Sequence, residues 1–173
     1  MKHGAPARHA HAGSVRAGRI AVLTVSDTRT AETDEAGRAI RERLTVAGHH
    51  VLEQRILPDE VEAVRSQLAV WLGRADCDGV IVTGGTGISA RDRTYEAVLG
   101  LLDKRLDGFG ELFRALSYRS IGSAAMLSRA VGGVACGKLL FSVPGAPAAV
   151  ALALDELIVP ELPHLLSELA KPS

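Results

Sequence analysis

The chain has 173 residues, a length that suits one domain able to bury roughly two-thirds of its unfolded surface. Its 20 basic and 20 acidic residues cancel, so net charge gives no support to non-specific nucleic-acid binding. The longest uncharged run, 139–154, is too short and too interrupted by proline to span a bilayer. Cys77 and Cys136 belong to no metal-binding motif, and we interpret both as small core residues in a reducing compartment. We therefore expect a cytosolic protein that binds neither nucleic acid nor membranes.

Residues 1–17 are predicted to form a disordered arm, because Ala, Gly, His and Arg dominate and no apolar segment typical of a secretion signal is present. The arm carries His3, His9 and His11. Two interpretations of these histidines remain: they belong to a solvated tail, or they bind transition metals adventitiously. Residues 18–173 show no linker and no internal repeat, and we interpret them as one domain.

Apolar runs alternate with helical patterns in the first part of that domain. Continuous apolar sequence at 20–25 and 79–83 predicts strands that are covered on both faces, and 51–56 is predicted as a further strand. Helical patterns follow each run, at 33–46, 58–73 and 94–102, and Asp59 suits the cap of the second helix. The alternation predicts a parallel sheet with right-handed crossovers.

The second part of the domain is less periodic. A helix is predicted at 109–118, a small apolar segment at 121–127, and strands at 129–135 and 139–143. The last helix, 148–169, is expected to bend or break near its prolines at 160 and 163.

The segment after the third predicted strand is the most informative part of the chain. Three glycines in four positions, at 84, 85 and 87, let backbone N–H groups converge on an anion. A helix predicted to start at Thr94 adds the favourable end of its dipole. Arg91 can donate to phosphate, whereas Asp92 suggests a divalent cation. The segment therefore indicates phosphate chemistry.

Other interpretations of the glycine-rich segment have weaker support. The run 85–90 fits G-x-G-x-x-A, but it follows the third strand and lacks the acidic residue that a dinucleotide-binding motif places about 20 residues on. No Gly-Lys-Ser/Thr closes the loop, so it is not a Walker A loop. Turn geometry alone stays open as an explanation of the glycines.

Three carboxylates are predicted at the same edge of the sheet. Asp27, Asp59 and Asp92 each come shortly after a predicted strand, and the carboxyl ends of parallel strands share one edge. Mg²⁺ in phosphoryl transfer is held by one or two carboxylates together with substrate phosphates. The three residues are therefore candidate metal ligands. For each of them, a structural role in a turn or as a helix cap is the alternative.

Four separated blocks carry a family resemblance. Residues 83–94 (T-G-G-T-G-I-S-A-R-D-R-T) resemble the T-G-G-T-G-x-x-x-R-D-x-T signature of the molybdopterin adenylyltransferase family, MogA/MoaB. Residues 107–114 resemble its G-F-G-E-x-x-R segment, 125–130 its A-M-L-S-R block, and 144–147 its P-G-x-P turn. The similarity covers about residues 19–165, and the second and third blocks are closer to the MoaB pattern.

The resemblance implies a three-layer α/β/α fold with a mostly parallel sheet, shared with gephyrin-type proteins. It also implies binding of molybdopterin and MgATP, and transfer of AMP to the terminal phosphate of the pterin with release of pyrophosphate. Asp92 and Asp59 would position the reacting phosphates as catalytic, metal-linked carboxylates. The implied ligand-binding residues are Thr83, Gly84, Gly85, Thr86, Gly87, Ser89, Ser128, Pro144, Gly145 and Pro147. Implied partners are further copies, in a homotrimer or hexamer, and other molybdenum cofactor biosynthesis proteins.

Two positions depart from the family pattern. Thr94-Tyr95-Glu96 stands where the family commonly has T-P-E, so a proline that would pre-organise the helix start is missing. Ala146 occupies a position that is often polar, which removes one hydrogen bond to a ligand. A non-catalytic molybdopterin-binding or scaffolding protein of the same fold is therefore the alternative to the adenylyltransferase.

Overall fold

The computed structural model describes residues 16–171. The predicted arm with His3, His9 and His11 lies outside them, apart from its last two residues. No helix in the described part of the chain is long and apolar enough to cross a membrane. The strands are β1 (Arg19–Val25), β2 (His50–Leu57), β3 (Gly79–Thr83), β4 (Lys104–Arg105), β5 (Val131–Ala135) and β6 (Lys138–Val143). The helices are α1 (Glu35–Val46), α2 (Val61–Gly73), α3 (Thr94–Leu99), α4 (Asp107–Ile121), α5 (Pro147–Ala153) and α6 (Val159–Leu169).

The six strands form one sheet in the order β2-β1-β3-β6-β5-β4. The neighbours β2-β1-β3-β6 pair in parallel, whereas β5 runs antiparallel to β6 and β4 runs antiparallel to β5. The predicted mostly parallel sheet is confirmed. The short β4 was not predicted, because two exposed basic residues carry no strand pattern.

The sheet is covered on both faces, which confirms the three-layer architecture. Helices α1, α4, α5 and α6 pack on one face, and α2 and α3 pack on the other. Strand β1 shows why its sequence is continuously apolar: Ile20 and Val22 join the first core, whereas Ala21 and Leu23 join the second. All four side chains are almost completely buried. A strand in the middle of such a sheet has no face left for polar residues.

The turn between β5 and β6 corrects one sequence prediction. Cys77 is buried as expected, but Cys136 is exposed. Cys136 and Gly137 form a two-residue hairpin turn with φ of 51° and 71°. Positive φ at both central positions is the requirement of a type I′ turn, in which side chains point away from the core. Cys136 therefore contributes to the turn through its backbone conformation. Its N–H donates a hydrogen bond to the Asp103 carboxylate at 2.7 Å.

Helix boundaries differ from the predictions where prolines and caps are involved. The last helix does not break: a π turn at Leu154–Ile158 joins α5 to α6 immediately before Pro160. A wider turn accommodates a residue that has no N–H and whose ring crowds the preceding turn. The cap predicted at Asp59 is wrong, because α2 begins at Val61 after Glu60 and has no side-chain cap. The carboxylate of Asp59 is used elsewhere, as described below.

His49 is a buried histidine in the turn between α1 and β2. Its Nδ1 accepts a hydrogen bond from the Gly18 N–H at 3.0 Å, so the ring in this structure acts as a neutral acceptor. Burial lowers the pKa of His49, and the neighbouring His50 lowers it further. The fold therefore disfavours the protonated ring.

We expect the stability of the protein to fall as pH drops below the ordinary histidine pKa of about 6.5. The unfolded chain takes up the proton first, so the contribution of neutral His49 is present above that pH and lost as pH falls through the lowered folded pKa. His49→Asn keeps an acceptor without titrating, and should flatten the change in Tm between about pH 7 and pH 5. The exposed His50→Asn is the comparison: it removes only the smaller, electrostatic contribution of His50, so it should flatten the slope less than His49→Asn does. Equal slopes for both variants would contradict the assignment.

Candidate functional site

Four parallel strands end side by side at the carboxyl edge of the sheet, and their following loops meet there. Asp27 follows β1, Asp59 follows β2, and the glycine-rich loop 84–93 follows β3. Asp27 accepts a hydrogen bond from the Asp59 N–H at 3.2 Å, and its other oxygen pairs with Arg91 at 3.0 Å. The structure thus brings together the three loops that the sequence placed on one rim. In doubly wound sheets this edge, where strand order reverses, is where ligands bind.

The glycines of the loop are required by close packing as well as by backbone conformation. Gly84 and Gly85 have φ of 95° and 61°, values that side-chain-bearing residues rarely adopt. A Cβ on Gly84 would collide with the Val25 carbonyl, and one on Gly85 would collide with Thr94 Oγ1 and lie 2.6 Å from Asp59 Oδ2. The Gly84 N–H already donates to the Val143 carbonyl at 3.1 Å. An anion at this loop therefore has to rely on the N–H groups beyond Gly84.

The three carboxylates are held by different protein donors and still influence one another. Asp59 accepts from the Thr94 hydroxyl at 3.3 Å, and Asp92 accepts from the Ser89 N–H at 3.0 Å. Burial raises the pKa of Asp59, hydrogen bonds from Thr94 and from the Arg93 N–H oppose this rise, and the charges of Asp92 and Asp27 add to it. The site thus concentrates negative charge that a cation would stabilise.

The donor set fits a cation that is held only partly by protein. Within residues 16–171, no group of three or more His, Cys, Asp or Glu side chains has the geometry to hold a metal ion by itself. Asp27, Asp59 and Asp92 nevertheless supply hard oxygen donors at one edge of the sheet. A magnesium ion typically takes one or two such carboxylates and completes its coordination with phosphates and water. The arrangement suits an ion that arrives with a phosphorylated ligand.

A cleft of about 80 Å³ lies between the ends of β1 and β3 and contains several predicted ligand-binding residues. Thr83, Gly84, Gly145 and Pro147 line it. The Thr83 hydroxyl donates to the Pro144 carbonyl at 3.2 Å, so in this structure that side chain ties two loops together. Gly145 lies against Gly84, where a Cβ would approach the Gly84 Cα to 3.2 Å. Ser128 does not line this cleft and instead faces a second cavity of about 370 Å³ between α4 and α5.

Asp34 is a buried carboxylate at the cleft that the sequence analysis missed. It accepts from the Thr24 hydroxyl at 2.7 Å, from the Gln54 amide at 3.3 Å and from the Gly37 N–H at 2.8 Å. The last of these bonds caps α1. An acidic residue directly before a helical pattern was the available signal, but its partners on β1 and β2 are visible only in the fold.

A cavity of about 620 Å³ lies between the starts of α2 and α3 and the glycine-rich loop. Three arginines face it together with several carboxylates, and its volume lies in the range of small-molecule sites. The arginines are Arg65, Arg91 and Arg93. Two of them, Arg65 and Arg93, were not singled out from sequence, because Arg65 belongs to no motif and Arg93 stands at a variable position of the 83–94 motif. Asp59 borders the same cavity, so cationic donors and a candidate metal ligand share one space.

This fold and the loops at its carboxyl edge define an α/β protein with a candidate ligand site at the ends of its parallel strands. The comparisons with known proteins specify the class. The family model described as "Probable molybdopterin binding domain" matches residues 21–164. The molybdenum cofactor biosynthesis protein B of Halalkalibacterium halodurans is 51% identical over 154 residues, which cover 88% of this chain and 91% of the relative. The protein of the same name from Staphylococcus aureus (strain COL) is 51% identical over 156 residues, covering 88% and 92%.

Solved structures agree with the sequence comparisons. A crystal structure of molybdenum cofactor biosynthesis protein B is 47% identical, with a TM-score of 0.88 and coverage of 91% of this chain and 98% of the other. The tungsten cofactor synthesizing protein MoaB from Pyrococcus furiosus is 36% identical, with a TM-score of 0.81 and coverage of 91% and 100%. The chain belongs to the molybdopterin-binding domain family of molybdenum cofactor biosynthesis proteins, as its four motif blocks predict.

We expect Gly85→Ala to destabilise the protein more than Gly48→Ala. Both glycines have positive φ, which costs an alanine about 1 kcal/mol, but the space around Gly48 is empty whereas Gly85 packs on Thr94 and Asp59. The added crowding should lower the free energy of unfolding by about 1–3 kcal/mol more at position 85. Urea unfolding measures both. Equal losses would mean that the loop moves away from Asp59 at little cost.

Proposed function

We propose that this molybdenum cofactor biosynthesis protein is a molybdopterin adenylyltransferase. It binds molybdopterin and MgATP in the cytosol, transfers AMP to the terminal phosphate of the pterin and releases pyrophosphate. The observation that carries the proposal is the convergence of Asp27, Asp59 and Asp92 beside a glycine-rich loop, next to a cavity lined by arginines. That combination matches the needs of phosphoryl-type transfer, in which positioning and charge neutralisation are the main tasks of the protein.

The reaction needs no activated side-chain nucleophile. A phosphate monoester is an anion at neutral pH, so it attacks the α-phosphate without a base, provided that the two phosphates are aligned and their repulsion is reduced. Mg²⁺ bound with ATP supplies part of that charge neutralisation. Asp59 and Asp92 hold and orient the cation, with Asp27 as a further ligand. In this proposal the carboxylates are catalytic because they position the reacting phosphates.

The two ligands are assigned to different spaces on the rim. We place the nucleotide phosphates in the cavity of about 620 Å³, where Arg65, Arg91 and Arg93 offer donors. The pterin phosphate lies at the loop formed by Thr83, Gly84, Gly85, Thr86, Gly87 and Ser89. Pro144, Gly145 and Pro147 border the cleft next to this loop, and Ser128 contributes from the cavity on the far side of the 144–147 turn. The loop lies between the two spaces, as a transfer between two phosphates requires.

A non-catalytic molybdopterin-binding protein is the second candidate. The favouring observation is that Asp27, Asp59 and Asp92 each accept a hydrogen bond from a protein donor, which gives all three carboxylates a structural role that needs no catalysis. Calorimetry with molybdopterin, with and without MgATP, separates the candidates. Binding without an ATP-dependent product favours the non-catalytic protein. Its main role would then be to pass molybdopterin to other biosynthesis proteins.

We further propose that the protein assembles as a homotrimer, alone or paired into a hexamer. Four large apolar side chains at the end of α4 and in the following 3₁₀ turn are more than half exposed, which favours a subunit contact at this surface. They are Tyr118, Ile121, Met126 and Leu127.

Sedimentation velocity should therefore give a trimer or hexamer, and Met126→Glu should dissociate it, because a buried unpaired charge at an interface is costly. Val70→Glu changes another exposed apolar residue, on α2, and should leave the assembly intact. A wild-type monomer at micromolar concentration would contradict the proposal.

We expect Asp92→Ala to lower the formation of adenylylated molybdopterin by about 100-fold or more, because a metal-linked carboxylate acts in the transition state. Pterin binding should persist. Asp76→Ala, which removes an exposed carboxylate paired with Arg74 before β3, is the matched control and should retain activity. Full activity of Asp92→Ala in the coupled assay would show that the catalytic assignment is wrong.

A further inference from the structure

Arg129 connects the glycine-rich loop to a distant part of the chain. It lies between the 3₁₀ turn and β5, directly after Ser128, yet its guanidinium reaches the loop. Nε donates to the Thr86 carbonyl at 2.9 Å, and Nη2 donates to the Gly87 carbonyl at 2.6 Å. A longer bond of 3.4 Å joins Nη2 to the Asp92 carbonyl. One side chain therefore holds three backbone carbonyls of the candidate phosphate loop.

The guanidinium is itself fixed from the opposite side by α3. It forms an ion pair with Glu96, and it lies 4.8 Å from the centroid of the Tyr95 ring, which it contacts as a cation on an aromatic face. The hydrogen bonds from Arg129 lower the pKa of Glu96, so the pair stays charged. With only 26% of the side chain exposed, Arg129 is restricted in its rotamers and holds the loop in one geometry.

The direction of the loop peptides follows from these bonds. In a trans peptide the C=O and N–H groups point in opposite directions, so the carbonyls of Thr86 and Gly87 that face Arg129 turn the N–H groups of Gly87 and Ile88 away from it. Neither N–H has an acceptor within residues 16–171. Thr86 is buried whereas the Ile88 side chain is exposed, so the loop passes from the protein interior to its surface at this point.

We propose that Arg129 is a positioning residue, which fixes the Thr86 and Gly87 carbonyls so that the N–H groups of Gly87 and Ile88 receive the phosphate of a bound substrate. The proposal rests on the proposed function for its substrate, since it names the donors for one phosphate in that site. Arg129 acts through the loop and does not touch the ligand. A lysine cannot replace it, because an ammonium group lacks the planar fork that reaches two adjacent carbonyls while pairing with Glu96.

The test uses the full chain, inorganic phosphate as the probe, and the backbone ¹⁵N–¹H signals of Gly87 and Ile88. In wild type both signals should shift and saturate as phosphate is added. In Arg129→Lys the dissociation constant should rise by about tenfold or more, which corresponds to the loss of one well-formed hydrogen-bond arrangement. Arg43→Lys is the matched control, because Arg43 is 30% exposed and pairs with Asp155 away from the loop. It should keep wild-type affinity.

Two further variants keep the test decisive if Arg129→Lys folds poorly. Glu96→Gln retains Arg129 but removes its ion-pair partner, and should weaken phosphate binding to a smaller extent. Arg129→Ala should regain affinity when methylguanidinium is added, as expected for a missing guanidinium rather than for a damaged fold. Wild-type affinity in Arg129→Lys, absence of rescue, or no response of the Gly87 and Ile88 signals in wild type would each overturn the proposal.

Adenylylation assays on the same samples separate this inference from the proposed function. If wild type forms adenylylated pterin and Arg129→Lys binds inorganic phosphate normally, the positioning role is wrong and the enzyme assignment stands. If phosphate binding depends on Arg129 but wild type forms no product, the positioning role stands and the adenylyltransferase assignment is wrong.

Discussion

The contact between Asp59 and the Gly85–Thr94 corner is the constraint on which the rest of the site depends. Asp59 follows β2, whereas Gly85 and Thr94 begin and end the loop that leads from β3 into α3. The Asp59 carboxylate accepts from the Thr94 hydroxyl and packs against the Cα of Gly85, where no Cβ fits. Helix α3 has no side-chain cap of its own, so a carboxylate from another loop stabilises its start. The geometry of the loop and of the helix start therefore depends on the placement of β2 and β3 in the sheet.

This constraint also explains the electrostatics of the edge. Bringing Asp59 into a partly buried position beside α3 raises its pKa and places it near Asp27 and Asp92. Like charges held together by packing are costly unless a cation or donor compensates, and such costs are typical of functional sites. Arg91 compensates Asp27 on the outer side. The remaining excess negative charge suits a metal bound together with phosphates, as the proposed reaction requires.

Arg129 and Asp59 hold the glycine-rich loop from two sides. Asp59 fixes its two ends through Gly85 and Thr94, and Arg129 fixes its middle through the carbonyls of Thr86 and Gly87. A loop with three glycines is otherwise flexible, because glycine loses the most conformational freedom on folding. The two charged residues thus supply the rigidity that the loop sequence lacks. A loop held in this way loses less entropy when it binds an anion, which favours both proposed roles.

Local pattern in the sequence determined five of the six strands, the glycine-rich loop and the family. The continuously apolar sequences of β1 and β3 predict burial on both faces of the sheet, and the motif at 83–94 predicts the glycine-rich loop. Both predictions succeed because each signal lies within a few neighbouring residues. Contacts between distant residues were decided by the tertiary structure alone. Asp59 does not cap α2 as predicted and instead accepts a hydrogen bond from Thr94, 35 residues away. Arg129 donates a hydrogen bond to the carbonyl of Thr86, 43 residues away. Side-chain partners at such separations depend on strand order, which no local pattern encodes. The residues of the site could therefore be predicted from the sequence, whereas their arrangement could not.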